Sequence, residues 1–379
     1  MVKRVFQQLL LVFSLLCGVS TTLSSQSSFR VMFYNVENLF DCKHDSLKND
    51  LEFLPTGTYR WSPKRYYDKV TKIAKVIIAA GDEQVPDLVG LCEVENDYCL
   101  TSLTHYSPLR EAGYRYVMTD SPDRLGIDVA LLYQRATFKL LSHQAISIPH
   151  ESINRSPTRD ILHVTGALLS GDTLDVFVCH FPSKSGGAVE SEPFRLLAAT
   201  TLRQATDSVM RMRLHPNVLI MGDFNDDPKS RSLAKVLQAH PVTESIEVTA
   251  LYNLMHGRKG GTYRYRGEWS LIDQFIVSGN LLLERSKGIN QAEVTTELQV
   301  MTEPELLVTD PLLNSSLLKP HHAPRRIITS FEQVQVLRFP FLLQEDDRYG
   351  GDTPFRTYHG RKYRGGFSDH LPILLHLSW

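Results

Sequence analysis

An aspartate and an asparagine two residues apart, at the end of an apolar run, can hold one ligand between them. Asp223 and Asn225 stand in this way in VLIMGDFNDDP (218–228). Side chains two apart on a strand point to the same face. Asp223 brings anionic oxygens; Asn225 brings a neutral oxygen and two N–H donors. Together they suit a hard cation with a phosphate oxygen beside it. An Asx-rich turn, in which both bond their own backbone, is the alternative. Asn35 and Glu37 repeat the pattern where FRVMFYNV (29–36) runs out, and there the alternative is a polar strand exit.

Other polar groups also stand on apolar runs. Glu93 ends DLVGLCEV (87–94), where a carboxylate is costly to bury unless it is paired or on a metal. His180 closes LDVFVCHF (174–181), as a site residue or a satisfied core histidine. Asp273 lies among apolar neighbours in SLIDQFIVS (270–278), and Asp369 and His370 lead into the last strand of GFSDHLPILLHLSW (366–379). Arg159 precedes another apolar run, either as a surface charge or as a phosphate clamp. The stretch GTYRYRG (261–267) interleaves Tyr263 and Tyr265 with Arg264 and Arg266. It reads as a half-exposed strand, or as cations beside rings for a phosphate-bearing ligand.

The elements that must position these groups are mostly strands. Strands are expected at 29–36, 87–94, 114–119, 128–133, 144–148, 160–169, 174–181, 218–221 and 270–278. A helix should open at Ser62-Pro63 and run through Ala80, with Val70, Ile73, Ala74, Ile77 and Ile78 at helical spacing. Further helices are expected at 192–212 and 230–238. Residues 280–345, with Pro304, Pro311, Pro320 and Pro324, read as an insertion with short elements of its own. Residues 346–366 form a locally basic loop rich in tyrosine.

Composition bounds the rest. With 379 residues, 42% hydrophobic and 22% charged, the chain can build one large or two ordinary domains. A net charge of −1 predicts no general attraction to nucleic acid or an anionic membrane, so any basic footprint must be local. Lys3 and Arg4, the apolar run 9–19 and the small polar residues after it read as a secretory signal over residues 1–25. The protein is therefore expected to be exported, to a periplasm, an outer surface or the medium, with no stable membrane span. Leu15 and Leu16 argue against lipidation at Cys17. Cys42, Cys92, Cys99 and Cys179 remain after removal, as disulfides or as buried thiols.

Nearly every apolar strand thus delivers an Asp, Glu, Asn or His near one end, and a layered sheet fold gathers strand ends on one face. Converging carboxylates repel one another unless a cation is present. Oxygen ligands without thiolate favour Mg²⁺ or Mn²⁺ over zinc, with Ca²⁺ open to an exported protein.

The motifs YNVEN (34–38), LCEVEN (91–96), VCHFPSK (178–184), MGDFND (221–226), LIDQFIVS (271–278) and FSDHLP (367–372), in this order, resemble the endonuclease/exonuclease/phosphatase superfamily, with its deoxyribonuclease I-like fold. The resemblance runs from residue 29 to the end. It implies a four-layered αββα sandwich of class α/β (α+β), with two mixed, mainly antiparallel sheets face to face and helices outside. It implies hydrolysis of a phosphate ester, with residues 26–379 as the catalytic domain. On that resemblance Glu93 is the main metal ligand, helped by Asn35 and Glu37, with Asp369 beside them. Asp223 orients or deprotonates the attacking water, and Asn225 holds the scissile phosphate. His370 contacts phosphate and is kept basic by Asp369, while Asp273 orients that histidine or a second metal. His180 faces the leaving oxygen with Asp128 as its carboxylate partner, and Ser183 donates to phosphate.

Three readings follow. A monomeric, exported metal-dependent nuclease is supported by the basic and aromatic loops at 263–266 and 356–364. A sphingomyelinase-like phospholipase or inositol-phosphate phosphatase keeps the chemistry and changes the substrate. A non-catalytic surface-binding module would have no need of so complete a set of groups.

Overall fold

The computed structural model describes residues 28–149, 156–243, 245–282 and 326–379. The expected signal segment and residues 283–325 of the expected insertion lie outside these. Among the described residues, no helix is long and apolar enough to cross a membrane.

In chain order the elements begin with β1 (Ser28–Leu39), α1 (Pro63–Ala80), β2 (Leu88–Val94) and α2 (Asp97–His105). There follow β3 (Arg115–Met118), β4 (Asp128–Tyr133), β5 (Phe138–Ile146), β6 (Ile161–Leu168) and β7 (Thr173–His180). Next come α3 (Ala188–Met212), β8 (Val218–Asp223), β9 (Ala239–His240), β10 (Leu251–Asn253), β11 (Tyr263–Tyr265), β12 (Glu268–Ser270) and β13 (Asp273–Ser278). The chain closes with β14 (Val334–Val336), β15 (Leu343–Glu345), β16 (Asp352–Pro354), β17 (Tyr358–His359), β18 (Lys362–Tyr363) and β19 (Ile373–Ser378).

One sheet has the order β14-β19-β1-β2-β4-β3, the other β5-β6-β7-β8-β13-β10-β9. Both are mixed: β1 with β2 and β7 with β8 are parallel, and most other pairs are antiparallel. Alternation along the strands makes the layers. Phe29, Val31 and Phe33 of β1 face Val176 and Val178 of β7, Leu219 and Met221 of β8, and Phe275 and Val277 of β13 in the core between the sheets. Met32 and Tyr34 point the other way, against Val70, Ile73 and Ile77 of α1 and Leu100 and Leu103 of α2. On the far side Phe177, Ile220 and Ile276 pack on Ala198, Ala199 and Leu202 of α3. The result is the expected αββα sandwich.

Local signals mostly hold. Ser62 caps α1 by accepting from the Arg65 N–H, with Pro63 in the first turn. Ile78, expected on the buried stripe, is exposed. The helix expected from 192 starts earlier, at Ala188. Ser191 Oγ donates to the Gly187 carbonyl, and Pro193 is carried inside the helix. The stretch expected as a helix at 230–238 is a short π-helical turn, Arg231–Val236. The four cysteines are free thiols, three of them buried.

Residues 326–345 do not stand apart as an insertion. Ile327 and Val334 are buried in the core between the sheets, and β14 forms the edge of the first sheet against β19.

One buried charge cluster ties β6 and β7 to the end of α3. Asp175 accepts from His163 Nε2 at 3.0 Å, Thr165 Oγ1 at 2.6 Å and Arg213 Nε at 2.8 Å. Burial alone would push its carboxyl up, but these hydrogen bonds outweigh it and hold it down at about 2. A depressed carboxyl stabilises the fold above its unfolded value and loses that contribution as pH falls through its folded one. About 2 kcal/mol should therefore disappear between roughly pH 4 and pH 2. Urea midpoints measured across that range should fall in the wild type and stay nearly flat in Asp175→Asn. Parallel curves would mean the cluster does not carry the acid limb.

Candidate functional site

Register brings the site together. Across the second sheet His180 pairs with Asp223, and Asp223 with Asp273, so three polar residues stand side by side at one end of the sheet. Like charges directly opposite are unfavourable in a sheet without compensation. Across the crevice β1 and β2 end together, with Asn35 beside Cys92 and Glu93 one residue on. The register shifts there, and Glu37, Asn38 and Glu93 all have left-handed φ angles of 53°, 53° and 63°. Asn225, just past β8, has φ 50°. Four non-glycine residues in that region at one site mark backbone strain that re-aims side chains.

Asn35 is the hub. Its Nδ2 donates to Glu93 Oε1 and to Asp223 Oδ2, each at 3.0 Å, and lies 3.5 Å from His370 Nε2. Its Oδ1 accepts from the Glu37 N–H, and its carbonyl accepts from Ser368 Oγ. The Asn38 N–H donates to Glu93 Oε2 at 2.8 Å. His370 Nδ1 is bonded to Asp273 Oδ2 at 2.8 Å, and Nε2 faces Asp223 Oδ2 at 3.8 Å. Tyr263 packs on the His370 ring at 4.9 Å between centroids. His180 Nε2 is 3.8 Å from both Glu93 Oε1 and Asp223 Oδ2.

Burial and charge set the protonation states. Burial, then the Asp273 charge, push the Asp223 carboxyl up to about 7 against the pull of His370. Burial, then the Asp369 charge, also raise Glu93. Burial opposes the charged form of His370, but Asp273 and Asp223 outweigh it and hold the ring well above the usual histidine range. His180 goes the other way: burial, then Arg159 and His370, keep it neutral. Two histidines, each with Nε2 3.8 Å from Asp223 Oδ2, thus carry opposite states.

Several expected roles move. Asp369 lies 4.0 Å from His370 Nε2 and helps keep it basic, but it does not hold the ring: its Oδ2 accepts from Arg356 Nη2 at 2.7 Å, and Asp273 is the ring's hydrogen-bond partner. Asp128 does not pair with His180. It lies in the first sheet and accepts from Thr119 and Ser121, while His180 Nδ1 has no hydrogen-bond partner among the described residues. Glu37 turns away from Glu93 and accepts from the Thr357 N–H at 2.6 Å and the Tyr358 N–H at 3.3 Å, with Lys69 Nζ at 3.9 Å. It anchors the 357–369 segment and is poorly placed as a ligand. Arg264 is no substrate contact either: it is spent on Asp346 and the carbonyls of Gly267, Gly350 and Asp352. Asn225 Nδ2 and Arg159 Nη2 both donate to the Phe181 carbonyl at 3.0 Å. Arg159 and Ser183 line a separate cleft of about 430 Å³.

Two groups escaped sequence reasoning. Lys69 is fully buried and donates to Thr357 Oγ1 and the Phe367 carbonyl. Its signal was a charge at helical spacing within the apolar stripe of Tyr66, Val70 and Ile73. Arg356 joins Asp369 and Glu37, and nothing in its loop distinguished it from its basic neighbours.

The donors fit a hard divalent cation. They are carboxylate oxygens with imidazole and no thiolate, and Asp273 Oδ1 is buried without a hydrogen-bond partner among the described residues. Asp223, Asp273 and His370 bring one ligand atom each within 4.8 Å of one another. Because Asp273 and His370 are already bonded to each other, that trio is better read as a histidine–carboxylate pair. Glu93 is the better cation holder, since burial and the Asp369 charge raise its carboxyl and positive charge would relieve both. Asn35 steadies it through Nδ2, its own oxygen being turned to the Glu37 N–H.

The Endonuclease/Exonuclease/phosphatase family profile matches residues 30–307 and 306–379. A sequence search of curated proteins returned no match. Solved structures are similar in fold at low identity. An endonuclease/exonuclease/phosphatase from Bacteroides vulgatus is 13% identical, covers 93% of this chain and 98% of its own, and has TM-score 0.52. A mannosyl-6-phosphatase from Bacteroides thetaiotaomicron is 15% identical, with 93% and 100% covered and TM-score 0.50. A humanised D. rerio TDP2 is 12% identical, with 92% and 98% covered and TM-score 0.50. At these identities the likeness shows the fold alone. The profile spans nearly the whole described chain, and the chain belongs to the endonuclease/exonuclease/phosphatase family of metal-dependent phosphoester hydrolases.

Proposed function

We propose that the protein is an exported Mg²⁺-dependent phosphodiesterase that cleaves nucleic acid by in-line attack of water. The observation that carries this is the single buried network in which Asn35 joins Glu93 to Asp223 while Asp273 holds a charged His370. A divalent ion at Glu93 would neutralise phosphate charge and ease departure of the leaving oxygen. Asp223, poised near neutrality, can take the proton of the attacking water, since a base works best when its pKa lies near the operating pH. Asn35 fixes the direction in which that carboxylate faces. His370, held by Asp273, donates from Nε2 to a phosphate oxygen. Asn225 has its second N–H left for another oxygen once the first is on Phe181. His180, neutral and beside both carboxylates, lies where it can offer an N–H to the leaving oxygen. The preference for nucleic acid is supported by Tyr265, Arg266, Arg348 and Tyr349, which line a cleft reaching Arg356, and export by the amino-terminal segment.

Incubation of the protein with supercoiled plasmid should give Mg²⁺-dependent nicking that a chelator stops. Hydrolysis of bis-p-nitrophenyl phosphate without any nicking would move the substrate to a phospholipid or inositol phosphate. No hydrolysis of either would point to a binding module.

A further inference from the structure

The interleaved tyrosines and arginines of 263–266 have an arrangement that the chemistry at His370 does not use. Tyr263 and Tyr265 lie on the same face of β11, and Tyr263 packs on His370. Tyr265 therefore points the same way about 7 Å further out. It is 58% exposed, as an aromatic ring held for packing would not be. Arg266 stacks on it, 5.2 Å from the ring centroid. Facing this hairpin, the 346–351 loop presents the same pair again: Tyr349, 45% exposed, with Arg348 5.2 Å from its centroid.

Both tips are built rather than loose. Arg264 points to the opposite face from its tyrosine neighbours, and its side chain is only 7% exposed. It donates from Nε to the Gly267 carbonyl of its own turn, and from its terminal nitrogens to Asp346 Oδ2 and the carbonyls of Gly350 and Asp352. Asp346 Oδ1 accepts from the Arg348 and Tyr349 N–H groups. A Cβ on Gly267 would meet that of Tyr349 at 3.0 Å, so the two tips touch. Arg266 and Gly267 form a two-residue turn with φ of 51° and 88°. Asparagine or glycine would sit at the first position without strain, yet the turn displays an arginine there.

Both tips line a cleft of about 640 Å³ that runs to Arg356, the partner of Asp369. Glu345 and Asp347 line it too, so it is not a uniformly basic groove. Stacking, with a few charges beside it, must supply most of the affinity. Exposed bases are available for stacking only on an unpaired strand.

We infer that this cleft is a stacking track for single-stranded nucleic acid, in which Tyr265 and Tyr349 take successive bases and Arg266 and Arg348 the phosphates beside them. The inference rests on the nuclease reading and narrows it to an unpaired strand threaded past His370. Two phosphates contacted would give a shallow salt dependence, with log affinity falling against log salt at a slope of about −1.4.

The test uses the full protein with a labelled single strand of about a dozen nucleotides, the same strand in a duplex, and bis-p-nitrophenyl phosphate. The wild type should cleave the single strand in preference to the duplex. The Tyr265→Ala/Tyr349→Ala variant should raise KM for the single strand at least about tenfold with little change in kcat. Tyr265→Phe/Tyr349→Phe, which keeps the rings, should restore KM. Arg266→Asn relaxes the turn, so it should raise the melting temperature slightly and still raise KM; this variant serves if the alanine pair fails to fold. Unchanged KM in both the alanine pair and Arg266→Asn, while the wild type cleaves nucleic acid, overturns the track and leaves the nuclease reading standing. Hydrolysis of the small diester with no cleavage of either nucleic acid overturns both, and leaves the rings to a ligand such as a phosphorylated sugar.

Discussion

Asp223→Ala should lower kcat on a small phosphodiester at least about a hundredfold, the scale of a lost base or charge-stabilising group. Asp223→Asn should lose nearly as much, because it keeps the shape but cannot accept a proton, and its one oxygen can accept from Asn35 Nδ2 or from the Asn225 N–H but not from both. The side chain is buried, pushed up to about 7, and held by Asn35 and the Asn225 N–H. Loss of activity should come without loss of fold. In the cation-free protein a raised carboxyl costs stability: the unfolded chain releases its proton near pH 4, while the folded one keeps it until about pH 7. Stability therefore falls as pH rises through that window, and Asp223→Asn should melt at or above the wild-type temperature at pH 8. Thermal melts beside initial rates check both halves. Near-normal turnover in either variant would remove Asp223 from the reaction.

What could be read from the chain, and what could not, divides along physical lines. A polar group that ends an apolar run breaks a local pattern, so Glu93, His180, Asp223, Asp273 and His370 were visible as candidates, and the structure brings all five to one crevice. Layering was visible too, since alternation along β1 separates Phe29, Val31 and Phe33 from Met32 and Tyr34. Partner choice was not. Asn35 and Asp223 are far apart in sequence, as are Asp273 and His370, and only cross-sheet register decides which carboxylate meets which ring. Chain adjacency suggested Asp369 for His370, and Asp369 does come within 4.0 Å of Nε2, but its hydrogen bond goes to Arg356 and the ring's goes to Asp273 across the fold. Strand alternation separates Arg264 from Tyr263 and Tyr265: the motif was legible as a cation-and-ring pattern, but which members face the ligand depends on the loop at 346–351. That loop lies more than eighty residues away and left no trace in the motif itself.

The pairing of Asp273 with His370 has the consequence that separates a charged histidine from a merely structural one. His370→Ala should cost at least about a hundredfold in kcat. Asp273→Asn is the sharper variant, because it leaves the imidazole in place and changes what holds it. In the wild type the carboxylates of Asp273 and Asp223 overcome burial and keep the ring charged well above the usual range. With asparagine at 273 the largest of these supports is gone, and burial pulls the ring's pKa down. A raised histidine contributes stability below its unfolded pKa and loses it as pH rises through its folded one, and any activity that needs the charged ring follows the same limb. The wild-type kcat should therefore hold to alkaline pH on the histidine limb, whereas that of Asp273→Asn should fall at lower pH. The deficit of the variant should then widen as pH rises, from a small factor near pH 6 to about a hundredfold or more above pH 8. Log kcat against pH for the two proteins, on bis-p-nitrophenyl phosphate at saturating Mg²⁺, tests this directly. Parallel profiles, with the variant low by the same factor throughout, would mean that Asp273 orients the ring without setting its charge. Coincident profiles would remove the pair from the chemistry altogether.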